Sequence, residues 1–327
     1  MNFKELQELL YAVGVEADLN NEPLGRGGFS IVYDGNFLRG KPTAIKLMCP
    51  PTTDQARHSI KDIKDVFEKD ISTQEKVSSH TDAVIRVYDF FFSGNLMFAL
   101  LEKGSKDVSL ESIVSESELY SLPEKMRLLR NIAHSIGEVH SLGYVHCDIK
   151  PENIIFEDSA KREQETLRGR NFLVIKGRPK LTDFGGALPI NAENKKDNIV
   201  GTPEYLCPDR FKSEKIDHRW DIFSFGVIAY RLLFNEFPFD VSFTRGIYRF
   251  KELPLNIDLG KELWPITNPI KKMLSLEPDS SYEADNRYPS VRELIEDLKF
   301  AENYLLEEKI FTLRRYPKHI HCNKANK

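Results

Sequence analysis

The spacing of apolar and polar residues divides the chain into a β-rich first third and a helical remainder. A short amphipathic helix is predicted at the start, because four apolar residues fall on one helical face: Phe3, Leu6, Leu10 and Val13. From 24 to 47 the pattern changes to that of strands, with a glycine-rich turn followed by short apolar runs. The polar segment 54–79 has the period of a helix. The apolar runs 84–92 and 96–101, separated by Ser93-Gly94-Asn95, predict two paired strands.

Helical periods dominate after residue 105. The strongest predicted helices are 123–142 and 219–234, and a long helix is predicted over 289–314. The segment 157–179 breaks this pattern, since it is long and charged and closes with Gly177-Arg178-Pro179. We predict an irregular insertion loop there. A small β-rich unit followed by a larger helical unit is typical of a two-lobed α+β protein.

These patterns suggest five segments. We expect an N-terminal helical extension at 1–20, a β-rich lobe at 21–101, a hinge at 102–105, a helical lobe at 106–300, and a helical extension with a basic tail at 301–327. The tail from Arg314 to Lys327 has five Lys or Arg, two His and no acidic residue. A solvated tail and a contact with an acidic partner are both consistent with that composition.

The composition is close to that of an average soluble globular protein. Of 327 residues, 41% are hydrophobic and 29% are charged, which excludes disorder of the whole chain. No run approaches the roughly 18 apolar residues of a membrane helix, and Glu5 and Glu8 argue against a secretory signal. We therefore expect a cytosolic protein without membrane insertion. The net charge of −4 gives no global attraction for nucleic acid, and the widely spaced cysteines predict reduced thiols.

A glycine-rich turn precedes the first long predicted strand, in the run Leu24-Gly25-Arg26-Gly27-Gly28-Phe29-Ser30-Ile31-Val32. Glycines let backbone N–H groups approach phosphate oxygens without interference from a Cβ atom, although an ordinary hairpin turn has the same pattern. Lys46 follows fourteen residues after Val32, between apolar neighbours on the next strand. A lysine in that setting is costly unless it meets an anion.

Three later segments carry polar residues at the ends of predicted strands or helices. In the first, Asp148 is followed two residues later by Lys150 and five residues later by Asn153, before an apolar strand. Asp183 follows another strand in Thr182-Asp183-Phe184-Gly185. The third segment is Gly201-Thr202-Pro203-Glu204-Tyr205-Leu206-Cys207-Pro208-Asp209.

In this order, the segments resemble those of the eukaryotic-type protein Ser/Thr kinases, over roughly residues 21–300. The resemblance implies a bilobed fold, with a small antiparallel sheet and one main helix in the N-lobe and a larger, mostly helical C-lobe. It also implies transfer of the ATP γ-phosphate to Ser or Thr hydroxyls of protein substrates, with Mg²⁺ as cofactor.

The resemblance assigns roles to five polar residues. Lys46 is expected to hold the α- and β-phosphates, and Lys150 to neutralise the γ-phosphate. Asp148 is expected to accept the proton of the substrate hydroxyl. Asn153 and Asp183 are expected to bind Mg²⁺, which prefers hard oxygen ligands.

Other matching positions are expected to contact the nucleotide or to support the fold. Glu102 and Gly104 match hinge residues whose backbone meets adenine, with Leu101 as the gatekeeper. The glycine-rich cover is expected to contribute Leu24, Gly25, Gly27, Gly28 and Val32. Three matches are expected to be structural: Asp221 as an acceptor for the catalytic-loop backbone, Arg287 as the partner of Asp209, and His146 as a packed histidine.

The acid that should pair with Lys46 departs from the family pattern. Asp70 stands at the position that matches the usual glutamate in Phe67-Glu68-Lys69-Asp70, one methylene short. Glu75 and Glu68 are alternatives, but on a helix the three acids project from different faces.

Cys147 replaces the arginine that usually precedes the catalytic aspartate and receives an activation-loop phosphate. The loop 187–200 contains no Ser, Thr or Tyr that could carry such a phosphate. We therefore expect an enzyme that needs no activation-loop phosphorylation. Two alternatives remain: a pseudokinase that acts as a nucleotide-binding scaffold, and a small-molecule phosphotransferase, against which the substrate-shelf match at 201–205 argues.

Overall fold

The computed structural model of the chain describes residues 3–17, 19–27, 30–37, 40–48, 60–93, 96–194, 201–244, 247–251, 263–276 and 287–312. These residues form a β-rich N-lobe and a mainly helical C-lobe, which confirms the predicted two-lobed α+β architecture. The basic tail from Arg314 to Lys327 lies outside the described residues. None of the described helices is both long enough and apolar enough to cross a membrane.

The N-lobe is an antiparallel sheet with one helix on each face. The sheet has the order β1-β3-β4-β6-β5, and β2 pairs with the free part of β3. Its strands are β1 (Val15–Ala17), β2 (Gly25–Arg26), β3 (Ser30–Phe37), β4 (Lys41–Met48), β5 (Val87–Ser93) and β6 (Leu96–Glu102). The helices are α1 (Phe3–Ala12) and α2 (Ile60–Ser78). The first part of the predicted helix 54–79, residues 54–59, lies outside the described residues.

Alternation along β4 assigns its side chains to the two faces of the sheet. Ile45 and Leu47 are fully buried in a cluster with Leu6 and Leu10 of α1. On the other face, Ala44 and Met48 pack in a cluster with Phe67 and Ile71 of α2. Lys46 has the same parity as Ala44 and Met48, and this parity directs its side chain towards α2. Helix α1 therefore packs against one face of the N-lobe sheet, and α2 packs against the other.

The C-lobe is organised around two long buried helices. Its helices are α3 (Leu110–Ser115), α4 (Leu122–Ser141), α5 (Arg219–Phe234), α6 (Trp264–Met273) and α7 (Val291–Glu307). Ser121 caps α4 by accepting a hydrogen bond from the N–H of Glu124, and Ser290 caps α7 in a similar way. Helix α5 is buried on nearly all sides, as its continuous apolar sequence predicts. The predicted helix 289–314 is shorter than expected and ends at Glu307.

Short strands complete the C-lobe. A three-stranded sheet has the order β12-β9-β7, and β8 pairs with β13. The remaining strands are β7 (Gly104–Ser109), β8 (Tyr144–Val145), β9 (Ile154–Glu157), β10 (Lys161–Leu167), β11 (Arg170–Lys176), β12 (Pro179–Leu181), β13 (Leu188–Pro189), β14 (Asp240–Thr244) and β15 (Ile247–Lys251). Gly104 and Ser105, predicted as hinge residues, belong to β7.

The predicted insertion loop 157–179 is a β-hairpin, so the expectation of an irregular loop was wrong. Strands β10 and β11 pair over their whole length, around a two-residue turn at Arg168 and Gly169. Both turn residues have positive φ, 50° and 71°, which suits the twist of a tight hairpin. Phe172, Val174 and Ile175 on β11 are buried, whereas the paired strand β10 has no buried residue and is rich in charged and polar side chains. The charges of β10 concealed the strand pattern in the sequence.

Candidate active site

The loop 146–153, here called the catalytic loop, is held by a carboxylate at the start of α5. Oδ2 of Asp221 accepts the backbone N–H of His146 and Oδ1 accepts that of Cys147, both at 2.8 Å. Burial alone would raise the pKa of Asp221, but the hydrogen bond and charge of His140 hold it below its usual value. The structure thus gives Asp221 the supporting contact expected of it. Cys147 has a φ of 67°, in the left-handed region.

Asp148 is oriented by hydrogen bonds to both of its carboxylate oxygens. Oδ1 accepts the backbone N–H of Thr202 at 3.1 Å, and Oδ2 accepts the side-chain amide of Asn153 at 3.0 Å. The Lys150 ammonium lies 3.0 Å from Oδ2 and donates to Thr202 Oγ1 at 2.9 Å. The side chains of Asp148, Lys150 and Asn153 therefore form one hydrogen-bonded cluster together with Thr202.

Lys46 bridges the two lobes. Its Nζ lies 2.6 Å from Asp70 Oδ2 on α2 and 3.2 Å from Asp183 Oδ1 in the C-lobe. The two other acids considered for this pairing, Glu68 and Glu75, are exposed on α2. Of the three acids considered, the structure brings Asp70 to the lysine.

The charges around Lys46 determine its protonation and that of its partners. Burial alone would lower the pKa of Lys46, but Asp70 and Asp183 outweigh it and raise this pKa above that of an ordinary lysine. Burial raises the pKa of Asp70, against the opposing effect of Lys46. For Asp183 the lysine outweighs burial and lowers the pKa. Asp183 is thus ionised and available to bind a cation.

Gln74 belongs to this site, and sequence reasoning missed it. The side chain is fully buried one helical turn after Asp70. Its Nε2 donates to the carbonyl of Ile85 at 2.8 Å, and its Oε1 accepts the backbone N–H of Asp183 at 3.1 Å. The spacing of four residues from Asp70 was the available signal, since such residues share a helix face.

The segment around Asp183 is fixed by packing as well as by hydrogen bonds. Asp183 has a φ of 67°, and the following Phe184 is fully buried, with its ring centroid 4.8 Å from that of His146. A ring nitrogen of His146 lies 3.0 Å from the carbonyl of Thr182. His146 is therefore the packed, backbone-bonded histidine that the sequence predicted.

The glycine-rich turn is described in part. Gly25 and Arg26 pair with Val32 and Ile31, and the N–H of Gly27 donates to the carbonyl of Ser30 at 2.7 Å. Val32 lies opposite Lys46 in the sheet. Leu24 is 41% exposed, on the same turn. Gly28 lies outside the described residues, and its expected nucleotide contact stays a prediction.

The two hinge positions have structural contacts of their own. The side chain of Glu102 accepts a hydrogen bond from Lys180 Nζ at 2.6 Å, which ties β6 to β12. Gly104 lies so close to β9 that a Cβ atom there would be 2.0 Å from Ile155 Cγ2. A glycine is therefore required at 104 for packing, whatever its role towards a nucleotide.

The side-chain oxygens of Asn153 and Asp183, in and beside the catalytic loop, are of the kind that Mg²⁺ prefers. Asn153 and Asp183 are joined through the backbone, because the N–H of Thr182 donates to the carbonyl of Asn153 at 3.1 Å. The Asp183 side chain is 47% exposed although it contacts Lys46. A carboxylate and a carboxamide are hard ligands, and Mg²⁺ is usually held by few protein groups together with phosphate.

Arg287 anchors the segment that follows Thr202. It is 1% exposed, and its Nη1 lies 2.7 Å from Asp209 Oδ2 and 3.3 Å from Cys207 Sγ. The pairing of Arg287 with Asp209 is the one expected from the sequence. Burial raises the pKa of the Cys207 thiol to about 12, so this cysteine is a neutral packing group.

A model of the protein kinase domain family matches residues 19–297, and the chain belongs to that family. It is similar to serine/threonine-protein kinase pkn2 of Myxococcus xanthus, with 30% identity over 226 residues, 67% of this chain and 24% of the relative. Similarity to serine/threonine-protein kinase D3 of Mus musculus is 29% over 239 residues, 72% of this chain and 24% of the relative.

A third relative is a probable serine/threonine-protein kinase of Clostridium acetobutylicum. It is 26% identical over 313 residues, 93% of this chain and 43% of the relative. The chain thus spans between about a quarter and less than half of the length of these curated relatives.

Proposed function

We propose that this protein is an ATP- and Mg²⁺-dependent protein Ser/Thr kinase that phosphorylates hydroxyl groups of protein substrates. The observation that carries the proposal is the bridge made by Lys46, which contacts Asp70 in the N-lobe and Asp183 in the C-lobe. The bridge puts an ammonium group next to a carboxylate, and a nucleoside triphosphate with its Mg²⁺ would need one group of each charge. The names of the curated relatives support the Ser/Thr class.

The catalytic loop supplies the groups for proton and phosphoryl transfer. Asp148 would accept the proton of the attacking hydroxyl while the bond from that oxygen to the γ-phosphorus forms and the bond to the ADP oxygen breaks. Its two oxygens are already oriented by Thr202 and Asn153. Lys150 would offset the negative charge that develops on the phosphoryl oxygens. Asp183 and Asn153 would hold Mg²⁺, and the bound ion would neutralise phosphate charge.

We infer in addition that the enzyme is active without activation-loop phosphorylation. The described part of the loop is attached to the C-lobe through its own backbone. Leu188 pairs with Val145 in a short β-ladder, and backbone hydrogen bonds join Asn191 and Ala192 to Ile216. Burial raises the pKa of the Cys147 thiol to about 12, so this residue is neutral and offers no charge to a phosphate. Residues 195–200 lie outside the described residues.

A cytosolic site of action is part of the proposal. Cys147 and Cys207 are buried free thiols, and such cysteines are typical of reducing compartments. Protein substrates are the partners that the kinase family implies, and the expected contact of the basic tail with an acidic partner stays a prediction.

The test is transfer of labelled γ-phosphate from ATP to the protein itself and to a generic basic protein. Asp183→Ala should abolish Mg²⁺-dependent transfer, and Asp148→Asn should lower turnover by at least about 10². The exposed Asp158, replaced by Asn, serves as the matched control and should keep wild-type activity.

Near wild-type transfer by Asp183→Ala or Asp148→Asn would contradict the kinase proposal. A wild-type protein that binds ATP without transferring phosphate would indicate the scaffold alternative. Transfer to small hydroxylated metabolites in preference to protein would indicate a small-molecule phosphotransferase.

A further inference from the structure

Arg210 makes a buried contact with the catalytic loop. It is 3% exposed, and its Nη1 donates to the carbonyl of Cys147 at 2.8 Å. That carbonyl belongs to the peptide group directly before Asp148. The guanidinium also lies over the indole ring of Trp220, 5.3 Å from the ring centroid. A charged group buried this deeply needs strong acceptors, and hydrogen bonds from charged donors are the stronger kind.

Gly201 lies beside the contact between Arg210 and the catalytic loop. Its φ of 146° is one that side chains adopt only with strain, and a Cβ atom built there would be 3.4 Å from both Arg210 Nη1 and the carbonyl oxygen of Cys147, an ordinary contact distance. Thr202 follows immediately and donates its N–H to Asp148. Arg210 thus contacts the backbone directly before Asp148 and lies near Gly201, the residue before Thr202.

The other end of the contact is tied to the activation loop. The side-chain amide of Asn194 donates to the carbonyl of Arg210 at 2.7 Å and to that of Ser213 at 2.9 Å. The backbone N–H of Asn194 donates to the carbonyl of Glu214 at 2.8 Å. Asn194 therefore links the activation loop to the backbone of Arg210, and the guanidinium of Arg210 contacts the catalytic loop.

We propose that Arg210 is a positioning residue for Asp148, and that the chain Asn194–Arg210–Cys147 replaces the contact between a catalytic-loop arginine and an activation-loop phosphate. The direction of the contact is reversed. The guanidinium comes from the segment after the activation loop and bonds to the catalytic loop, while the link to the activation loop is a neutral amide. This inference rests on the proposed kinase function, and it explains how the catalytic loop is held without a phosphate.

The test compares steady-state kinetics of the full chain and variants with a protein substrate. Arg210→Met keeps an apolar stem of similar volume but loses the donor, and its kcat should fall by about tenfold, the worth of one charge-assisted hydrogen bond. The KM for ATP should stay within about twofold, because Lys46 and Asp183 are untouched. Arg210→Lys, which keeps a cation and a donor, should show an intermediate kcat. Arg170→Met, at an exposed position of the hairpin, is the control.

Asn194→Ala provides a second route, because it removes two hydrogen bonds to backbone carbonyls without touching the catalytic loop. Its kcat should fall with an unchanged KM for ATP. If Arg210→Met fails to fold in a thermal unfolding experiment, Arg210→Lys and Asn194→Ala decide the question. Wild-type kcat in either Arg210→Met or Asn194→Ala, or a parallel change of kcat and KM in all variants, would overturn the inference. A wild-type protein without any transfer would instead overturn the proposed function.

Discussion

The Lys46 ammonium lies 2.6 Å from Asp70, an acid one methylene shorter than the glutamate that the kinase resemblance leads one to expect. Helix α2 lies close to the segment after Asp183, since a Cβ atom on Gly185 would be 3.7 Å from Asp70 Cβ. The short side chain of Asp70 fits this close approach of α2, whereas a glutamate would need a larger distance between α2 and Lys46. The ion pair is buried, and without Asp70 the Lys46 ammonium would keep the longer contact with Asp183, at 3.2 Å.

Asp70→Ala should lower kcat/KM for ATP by at least about tenfold. The substitution removes the nearer acidic partner of the Lys46 ammonium, and breaking a buried ion pair in this way is strongly destabilising. Glu75→Ala, which removes an exposed acid five residues further along α2, should have little effect. The measurement is initial phosphate transfer as a function of ATP concentration. The reverse ranking of the two variants would assign the pairing to Glu75.

Gln74→Leu should reduce both stability and turnover. The substitution keeps the volume but leaves the N–H of Asp183 and the carbonyl of Ile85 without their partner. Loss of a partner to a buried polar group costs about 1–3 kcal/mol. Urea unfolding gives the stability, and kcat reports the position of Asp183. Gln164→Leu on the exposed face of β10 is the control, and equal effects of the two variants would argue against the role given to Gln74.

Dephosphorylated protein should be fully active. After phosphatase treatment, with the absence of phosphate verified by mass spectrometry, the initial rate on an exogenous substrate should equal that of untreated protein. The reason is that the described part of the loop, residues 187–194, is held by backbone pairing and by Asn194. A lag that disappears on preincubation with ATP, together with a phosphate mapped between residues 186 and 205, would contradict the prediction.

Lys125 should make stability depend on pH. Burial lowers the pKa of this lysine to about 8, whereas an unfolded chain has a lysine pKa of about 10.4. Between these values the unfolded chain binds more protons, so the contribution of Lys125 to stability rises with pH through that window. Below it, both states are protonated and the penalty of a buried charge is fully present.

Lys125→Met should therefore be more stable than the wild type at neutral pH, by about 3 kcal/mol. The difference should shrink as the pH rises from about 8 to about 10.4. Urea unfolding at several pH values measures it, with the exposed Lys299, changed to Met, as the control. A difference that stays constant across this range would show that the burial of Lys125 carries no proton-linked cost.

The longer elements were predictable because their patterns are local. Helix α5 begins and ends at the residues that the apolar run 219–234 predicted. Nearly all of its side chains are buried, so the whole helix is apolar and its length can be seen in the sequence. The order of the segments around Lys46, Asp148 and Asp183 along the chain resembled that of the protein kinases, and the family match confirmed this resemblance. The hairpin 161–176 was missed, because β10 is almost wholly polar and only the structure shows that it pairs with β11.

Only the tertiary structure decided which polar residues meet. Asp70, Glu68 and Glu75 are all acids on one helix, and the position of α2 against the sheet selected Asp70. The contacts of Gln74 with Asp183 and of Arg210 with Cys147 join residues 109 and 63 positions apart. The sequence determined the elements and the chemical groups, because these depend on neighbours along the chain. The pairing of those groups depends on how the elements pack, which no local pattern records.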